Sequence, residues 1–339
     1  MSKSVKAVIG ISLGLVTLLT LLISAFAWPA SEMEPRSLPL VVAGPEAVVT
    51  QIETQLATSV GEDAFEVTAV ADREAAVEAI ENREAYGAIL VGPEGQEVLV
   101  ASAASANVAQ QLTQMATAMG GESGGQPGAQ PTVTDVMPSA EDDPRGIVFG
   151  ASALPLVIGG IMAGAITSLV LTRTRDRVAA AFLIAIGGGL AMIGVVQGWL
   201  GALEGSYLAN AGVVALGILA VALPIIGLRH LIGPAGVGIV ALLVLLVGNP
   251  ISGITSAPEM VPFGWLGQLM PPGAAGSALR GFSFFDGAGT AMPLIVLACW
   301  AGAGLLLTVL PHREKPSEKP RVEAEAAERT TRDAEAVAR

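Results

Sequence analysis

The stretch "LVLTRTRDRVAAA" (169–181) places three arginines within five positions, between two long apolar runs. The chain has 339 residues and only 18 Lys plus Arg, so this concentration of positive charge is informative. Short loops rich in Lys and Arg are typical of the cytoplasmic side of membrane proteins. We therefore interpret Arg173, Arg175 and Arg177 as a short cytoplasmic loop between two membrane-spanning helices.

The composition also indicates a membrane protein. Hydrophobic residues make up 52% of the chain and charged residues 14%, with a mean hydropathy of +0.62, whereas soluble domains are less apolar and more charged. A helix needs roughly 20 mostly apolar residues to cross the hydrocarbon core. Six stretches meet this need: 5–27, 147–171, 178–203, 207–228, 231–248 and 290–310. The predicted fold class is a polytopic α-helical membrane protein with six transmembrane helices and a small α/β extracytoplasmic domain between helices 1 and 2.

Most of the basic residues next to the predicted helix ends fall on one side of the membrane. Six alternating spans put the arginine loop on the same side as Lys3, Lys6, Arg229, Arg313 and Lys315. Both termini are therefore predicted to be cytoplasmic, with the domain 28–146 outside. Abundant Ala, Gly and Val with few Lys suggests a bacterial source. The expected location is thus the bacterial inner (plasma) membrane, with the lipid bilayer around a multi-pass protein.

The first segment, residues 1–27, has two interpretations. Its apolar run from Ala7 to Ala27 is longer than that of a signal peptide, which favours a retained transmembrane helix. The alternative is a cleaved signal peptide, because Ala25-Phe26-Ala27 has the form of a cleavage site. Cleavage would leave the orientation of the other five spans unchanged.

Residues 28–119 are predicted to form the α/β extracytoplasmic domain. Short apolar or alternating runs predict strands over 38–44, 65–71, 86–92 and 96–102. Helical spacing predicts helices over 45–60, 72–85 and 105–119. This βαβαββα order is typical of a small open sheet with at least one parallel pair. Residues 120–146 are predicted to be a flexible acidic linker, and residues 311–339 a charged cytoplasmic tail.

The sequence does not indicate an enzyme. It has one cysteine, Cys299, and two histidines, His230 and His312, and it lacks the HExxH, GxSxG and GxxxxGK[ST] patterns. We expect no catalytic residues, no cofactor, no metal and no nucleic acid partner. Any energy from ATP would have to come from a separate subunit.

Two polar residues lie at predicted membrane depth. Gln197 is about two turns from the outer end of the third span, and Asn210 is near the outer start of the fourth. Polar groups inside a membrane are costly and usually face a cavity or another helix. An interhelical hydrogen bond is the simpler interpretation, and a place on a substrate path is the alternative.

The segment 249–289 is the most distinctive part of the chain. It contains an amphipathic piece (258–269), a Pro271-Pro272 break and a second short helix that ends near Arg280. Its aromatic residues suit a membrane interface: Phe263, Trp265, Phe282, Phe284 and Phe285. We predict two short re-entrant or interface-lying helices on the outer side.

The order of these parts resembles the permease subunits of ABC-2-type transporters, including the YhgE/Pip-like membrane proteins. One span, an ectodomain and five further spans are similar in order, as is "PFGWLGQLMPPGAAGSALRG" (262–281) before the last span. The stretch "AVEAIENREAYGAILVGPEG" (76–95), followed by "VLVASAASANVAQQL" (98–112), looks like the family's ectodomain segment. The resemblance implies a dimer, homomeric or heteromeric, that exports a substrate with a separate ATP-binding subunit. It implies an outer gate, for which Trp265, Gln268 and Arg280 are our candidates.

The sequence departs from that family where the ATPase would bind. Such permeases carry a helix before the first span and a coupling element in the first cytoplasmic loop. Here few residues precede the first span, and "TRTRDR" (172–177) is too short for an independent helix. Arg173, Arg175 and Arg177 are therefore interpreted as topology determinants, with ATPase contact or anionic lipid binding as alternatives. The second hypothesis is a non-transporting membrane scaffold or surface receptor that keeps the permease fold.

Overall fold

The computed structural model describes residues 3–92, 95–122 and 131–311. It begins with the long helix α1 (Lys3–Ser31) and continues into an α/β domain. The strands of this domain are β1 (Leu38–Ala43), β2 (Phe65–Val70), β3 (Gly87–Gly92), β4 (Gly95–Val100) and β5 (Thr132–Asp135). Its helices are α2 (Glu46–Val60), α3 (Arg73–Glu81) and α4 (Ala106–Glu122).

The second part of the chain is helical. Two helices, α5 (Ile147–Val170) and α6 (Thr174–Ile193), are followed by a π-helical turn, Gly194–Trp199. The next are α7 (Tyr207–Ile232) and α8 (Ala235–Leu242), which continues as a second π-helical turn, Leu243–Gly248. The last are α9 (Gly264–Gln268), α10 (Pro271–Phe284) and α11 (Ala291–Val309).

Within the described ranges, five helices are long and apolar enough to cross a membrane. They are α1, α5, α6 with its π-helical turn, α7 and α11. This confirms a helical protein with membrane-length apolar helices. The predicted span 231–248 differs, because Gly233 adopts a positive φ of 78° and ends α7 at Ile232. The chain then forms a shorter apolar helix, Ala235–Gly248. The described residues therefore contain five helices of membrane-spanning length and not the six that were predicted.

Helix α7 is the centre of the bundle. It packs against α5, α6, α8, α10 and α11, and most of its length is buried. Small residues allow the close approach: Gly160 and Gly164 of α5 lie directly against Val221 and Ile225 of α7. The GxxxG spacing of α5 therefore serves packing within the chain. Gly10 and Gly14 of α1 have the same spacing, but no atom lies within 4 Å of a Cβ added at either position.

The α/β domain follows the predicted order and adds one strand. The sheet order is β2-β1-β3-β4-β5, with β1 parallel to both β2 and β3, and with β3 and β4 antiparallel. Helices α2 and α4 cover one face of the sheet and α3 covers the other. Helix α3 ends earlier than predicted because Arg83 adopts a left-handed φ of 62°. That turn carries the chain into β3.

The stretch predicted to be a flexible linker is partly ordered. Within 120–146, β5 pairs in parallel with β4. Asp143 then caps the next helix, because its two carboxylate oxygens accept hydrogen bonds from the amides of Ile147 and Phe149 (2.8 and 3.0 Å). Residues 123–130 of the predicted linker lie outside the described residues, as does the predicted tail from His312 onward, with Arg313 and Lys315.

Candidate functional site

The segment 249–289 does not form the amphipathic helix predicted over 258–269. Pro258–Met260 is a single 3₁₀ turn, and α9 has only five residues. Phe263, between them, adopts a left-handed φ of 56°, which interrupts any continuous helix. As a result Phe263, Trp265 and Leu269 point outward from a compact turn, with Trp265 67% exposed.

The second helix of this segment is a core element, so of the two predicted alternatives, re-entrant or interface-lying, its burial disfavours the interface-lying one. Nearly all residues of α10 are buried, and it packs against α7, α11 and α5. Small side chains such as Gly273, Ala274 and Gly276 make this fit possible. The aromatic residues at its end also turn inward: Phe282 and Phe284 pack partly buried against the bundle core, and Phe285, which follows the helix, joins the core of the α/β domain.

The α/β domain is attached to the 249–289 segment through its backbone. The amide of Arg36 donates to the Glu259 carbonyl at 3.0 Å, and the amide of Glu34 donates to the Met260 carbonyl at 3.2 Å. Met260 and Ala257 are buried in the same apolar cluster as residues of the inner strand β1. The segment therefore completes one face of the sheet.

Two side chains strengthen this attachment. The Tyr86 hydroxyl donates a 2.8 Å hydrogen bond to Oε2 of Glu259. Nη1 of Arg83 donates to the Ser277 carbonyl of α10 at 2.9 Å, and its guanidinium lies 5.6 Å from the centroid of the Phe285 ring. Burial lowers the pKa of Arg83, and burial with the nearby Glu259 carboxylate raises the pKa of Tyr86. The left-handed turn at Arg83 thus directs a cation toward α10.

A cleft of about 450 Å³, which we call the junction cleft, opens where three parts of the chain meet. They are the α/β domain, the 249–289 segment and the start of α11. Its polar lining is formed by Arg36, Arg83, Tyr86, Glu259, Gln268 and Ser277. Its apolar lining is formed by exposed Phe263, Trp265, Leu269 and Met292. The cleft is therefore amphipathic, and its size is in the range of small-molecule sites.

The junction cleft lies beside two membrane-length helices. The ring of Trp28, near the end of α1, lies 6.2 Å from the ring of Phe263. Met292 and Pro293 of the cleft wall belong to the first turn of α11. The indole of Trp300, further along α11, donates to the Leu269 carbonyl at 2.9 Å. The apolar wall is thus continuous with the exposed apolar surfaces of α1 and α11.

The predicted gate candidates separate into two places. Trp265 and Gln268 line the junction cleft, where Gln268 joins the loop at Ser252 to α10 by donating to the Ser252 carbonyl (2.8 Å) and accepting from the Ser277 hydroxyl (2.6 Å). Arg280 does not line this cleft. It is 7% exposed, donates to the Ile254 carbonyl at 2.9 Å, and lies 4.7 Å from the Phe149 ring centroid.

Gln197 and Asn210 are brought together. The Asn210 amide donates to Oε1 of Gln197 at 3.0 Å and to the Glu204 carbonyl at 2.8 Å, and its carbonyl accepts from the Ser283 hydroxyl at 3.2 Å. Gln197 lies in the π-helical turn after α6 and Ser283 lies in α10. The network joins three helices, so the expected interhelical hydrogen bond is present. A place for Gln197 and Asn210 on a substrate path stays a prediction.

The three arginines do not form a loop of their own, which corrects that prediction. Helix α6 begins at Thr174, so only Leu171–Arg173 connect it to α5, and Arg175 and Arg177 lie in its first turn. Asp176 in that turn favours an early helix start, because negative charge is stabilising at a helix N-terminus. Nε of Arg177 donates to the Leu171 carbonyl at 2.8 Å and so caps α5.

These arginines lie at the same end of the bundle as the end of α7. The Thr174 hydroxyl is 3.4 Å from Nδ1 of His230, next to Arg229. Arg173 and Arg175 are exposed there, and Arg175 is 3.8 Å from the carboxylate of Asp176. We call Arg173, Arg175, Arg177 and Arg229 the basic end of the bundle.

Sequence reasoning missed Tyr86, Arg83 and Glu259. One signal was present: Glu259 and Asp286 are the only acidic residues in the 249–289 segment. A carboxylate in a mostly apolar segment needs a polar partner once it is partly buried. The identity of that partner, 173 positions away, had no local signature.

Comparison with protein families, with curated proteins and with solved structures finds no match to this chain.

Proposed function

We propose that this chain is the membrane-spanning permease subunit of an ABC-2-type exporter, which moves a substrate across the bacterial inner membrane with ATP hydrolysed by a separate subunit. The observation that carries the proposal is the junction cleft. A ligand-sized, amphipathic cleft between a folded α/β domain and the start of the membrane-length helix α11, with the end of α1 beside it, suits cargo that leaves a membrane. The chain itself does no covalent chemistry on the cargo.

In the proposed topology the chain crosses the membrane six times, with both termini cytoplasmic and the α/β domain outside. The contacts of the short helix Ala235–Gly248 support this path. Its start, at Gly236, contacts Leu228 and Arg229 at the basic end, and its last residue, Gly248, contacts Met270 and Pro272 beside the α/β domain. In the proposed topology this short helix is the remaining crossing, and its two sets of neighbours support that assignment.

In the proposed mechanism the α/β domain and the 249–289 segment form the outer gate. Their attachment through Arg83, Tyr86 and Glu259 makes them move together, and Gln268 ties the gate to the loop at Ser252. Alternating access would occur at the seam of a homodimer or heterodimer. The basic end, on the cytoplasmic side, is where an acidic surface of the ATP-binding subunit would bind.

The first experiment is a pull-down of the tagged full chain from its native membrane in mild detergent, with mass spectrometry and an ATPase assay. We expect a stoichiometric ATP-binding subunit and ATPase activity that co-elute. A pure chain without ATPase, under conditions that keep a known exporter assembled, would contradict the permease function.

Orientation is tested separately with single cysteines. Cys299 is the only native cysteine, so Cys299→Ala gives a background for Glu62→Cys in the α/β domain and Arg175→Cys at the basic end, both at exposed positions. A membrane-impermeant maleimide should label Glu62→Cys in intact spheroplasts and label Arg175→Cys only after permeabilisation. The reverse pattern would overturn the proposed topology.

The second candidate function is a non-transporting membrane scaffold or surface receptor with the same fold. The connection Leu171–Arg173 favours it, because three residues leave no room for a separate coupling helix between α5 and α6. The pull-down distinguishes the two functions, and a triple Arg173, Arg175 and Arg177→Ala variant tests docking at the basic end. If it keeps its orientation but loses the ATP-binding subunit, the basic end is a docking surface; if it keeps orientation, partner and transport, docking there is refuted.

A further inference from the structure

Strand β2 forms one edge of the five-stranded sheet. It pairs in parallel with β1 over all six of its residues, Phe65–Val70, in unbroken register. In the described part of the chain no strand pairs with its outer side. An edge strand presents a row of backbone N–H and C=O groups with which another extended chain can pair.

Strand β2 has few of the features that protect sheet edges from such pairing. Protected edges are very short or bulged, are covered by a loop or helix, or carry Pro and Lys. The sequence of β2, "FEVTAV" (65–70), contains neither Pro nor Lys, and its one charged residue is Glu66. Glu66, Thr68 and Ala69 are exposed, so none of the described segments covers this edge. The outer side of β2 is therefore accessible to an added strand.

A groove of about 450 Å³, which we call the edge groove, lies beside this strand, between β2 and helix α2. Its apolar wall is formed by Leu56 and Ala57 of α2 and by Phe65 and Val67 of β2. Side chains alternate between the two faces of a strand. Every second side chain of a strand added to β2 would therefore enter the edge groove. A sheet edge that supplies backbone hydrogen bonds and a groove that receives alternate side chains are together a general means of binding extended peptides.

The charge around the edge groove is negative. Between Arg36 and Arg73 the chain has six acidic residues and no Lys or Arg. Glu53 and Glu62 line the groove, and Glu66 lies on the opposite face of β2 from the groove residues of that strand. The two arginines at the ends of this stretch each pair with a carboxylate. Both faces of the edge therefore favour a positively charged partner.

We propose that β2 binds an extended, positively charged segment of another protein, which adds a sixth strand to the sheet and places alternate apolar side chains in the edge groove. A second copy of this chain is the other candidate occupant. It would bring the same carboxylates to both sides of the joint, and like charges opposite each other destabilise strand pairing. A segment that alternates apolar residues with Lys or Arg has the complementary pattern. The proposal does not depend on transport or on an ATP-binding subunit.

The test measures the binding of short fluorescent peptides to the purified full chain in a non-ionic detergent by fluorescence anisotropy. The first peptide alternates valine with lysine, and the second has glutamate in place of lysine. The third is the lysine peptide with two adjacent N-methylated residues at its centre, which block backbone pairing on both of its edges. We expect saturable binding of the first peptide alone, weakened by added salt. No binding of the first peptide, or equal binding of the first and third, would overturn the proposal.

Hydrogen exchange locates the added strand. The outward-facing amides of β2 have no partner strand among the described residues, so the lysine peptide should slow deuterium uptake within Phe65–Val70. Strand β5, Thr132–Asp135, is the other edge of the sheet and serves as the internal control, where uptake should not change. Binding of the peptide without protection of β2 would show that carboxylates attract it without strand pairing, and would refute the proposal.

Charge variants test the acidic surroundings of the edge groove. The combined variant Glu53→Gln, Glu62→Gln and Glu66→Gln should bind the lysine peptide about tenfold more weakly. It should keep the fold, because all three side chains are exposed. The matched control neutralises three exposed carboxylates outside the groove, those of Glu78, Glu81 and Glu141. An equal loss of binding in the control would show a general effect of net charge and would contradict a site at β2.

Two further variants test the groove wall and the alternative occupant. Ala57→Phe fills the edge groove and should abolish binding, whereas Ala47→Phe, at an exposed position of α2 outside the groove, should leave binding unchanged. Equal binding by both variants would refute the place of the groove. Thr68→Cys in the Cys299→Ala background, treated with a short bis-maleimide, tests for a second copy. Efficient cross-linking of one β2 to another would show that a second copy covers this edge and would overturn the proposal.

Discussion

The hydroxyl of Tyr86, directly before β3, donates a 2.8 Å hydrogen bond to the carboxylate of Glu259, 173 positions later in the chain. Both side chains are partly buried. The bond fixes the α/β domain to the 249–289 segment at the wall of the junction cleft. The position of the domain over the bundle therefore depends on a phenol and a carboxylate that are distant in sequence.

Tyr86→Phe should destabilise the attachment by about 1–3 kcal/mol, because the Glu259 carboxylate loses a donor where water has limited access. The measurement is denaturant-induced unfolding of the purified protein, with limited proteolysis between the domain and α5. The control is Tyr207→Phe, which removes a similar bond, to the Leu190 carbonyl at 2.6 Å, from an exposed hydroxyl. An equal or larger loss in the control would contradict the importance of the Tyr86 bond.

Stability should also fall at alkaline pH through the same residue. The pKa of Tyr86 is raised in the folded state from its ordinary value of 10.0. Its contribution is therefore complete below pH 10 and is lost as the pH rises above the unfolded-state pKa, since the unfolded chain releases the proton more readily. Unfolding free energies measured between pH 8 and pH 11 should decline more steeply for the unaltered chain than for Tyr86→Phe. Parallel curves would show that Tyr86 does not titrate differently in the two states.

Much of the fold could be predicted because local patterns determine it. The helices Ile147–Val170 and Ala291–Val309 match their apolar runs within a residue or two. The order of the first four strands and three helices along the chain followed from short apolar runs and helical spacing, whereas β5 was not predicted. The arginines were misplaced because the loop was inferred from their charge, whereas the helix start at Thr174 is favoured by the acidic residue among them.

Gly227→Ala should destabilise the bundle by about 1–3 kcal/mol, because an added methyl would collide with the Gly304 carbonyl of α11. Gly304→Ala should behave similarly, since its methyl would meet the backbone of Leu223 and Pro224. The matched control is Gly302→Ala in the same helix, where an added Cβ meets no atom within 4 Å. Thermal unfolding in detergent measures all three. A loss for Gly302→Ala equal to the others would indicate a general effect of the substitution.

Asn210→Ala should cost about 1–3 kcal/mol, because Asn210 is fully buried and bonds to Gln197, Glu204 and Ser283. Gln197→Leu should cost less, and the double variant should show less than additive loss, since the two share a bond. Asn107→Ala, which removes a 3.3 Å bond from an exposed side chain to the Thr255 carbonyl, is the control. Fully additive losses would refute the coupling. If the Gln197→Leu variant exports at the normal rate, Gln197 does not lie on a substrate path.

The site was harder to predict than the fold, because its residues come from distant parts of the chain. Trp265 and Gln268 were found as candidates since they lie in one unusual segment, and both line the junction cleft. Arg83 and Tyr86 lie in an ordinary helix-to-strand turn, where no periodicity distinguishes them. Their contacts with α10 and Glu259 depend on the left-handed turn at Arg83, which directs this stretch toward α10.

The central place of α7 has a consequence for biogenesis. During synthesis α7 leaves the ribosome before α8, α10 and α11, which cover much of its surface, and α11 comes almost sixty residues later. Until α11 is inserted, the small-residue surface around Gly227 lacks the helix that fits it. The bundle therefore closes late, and chains truncated before Ala291 should be recognised by membrane quality-control proteases. Pulse-chase comparison of chains that end before and after α11 would measure this as a difference in half-life.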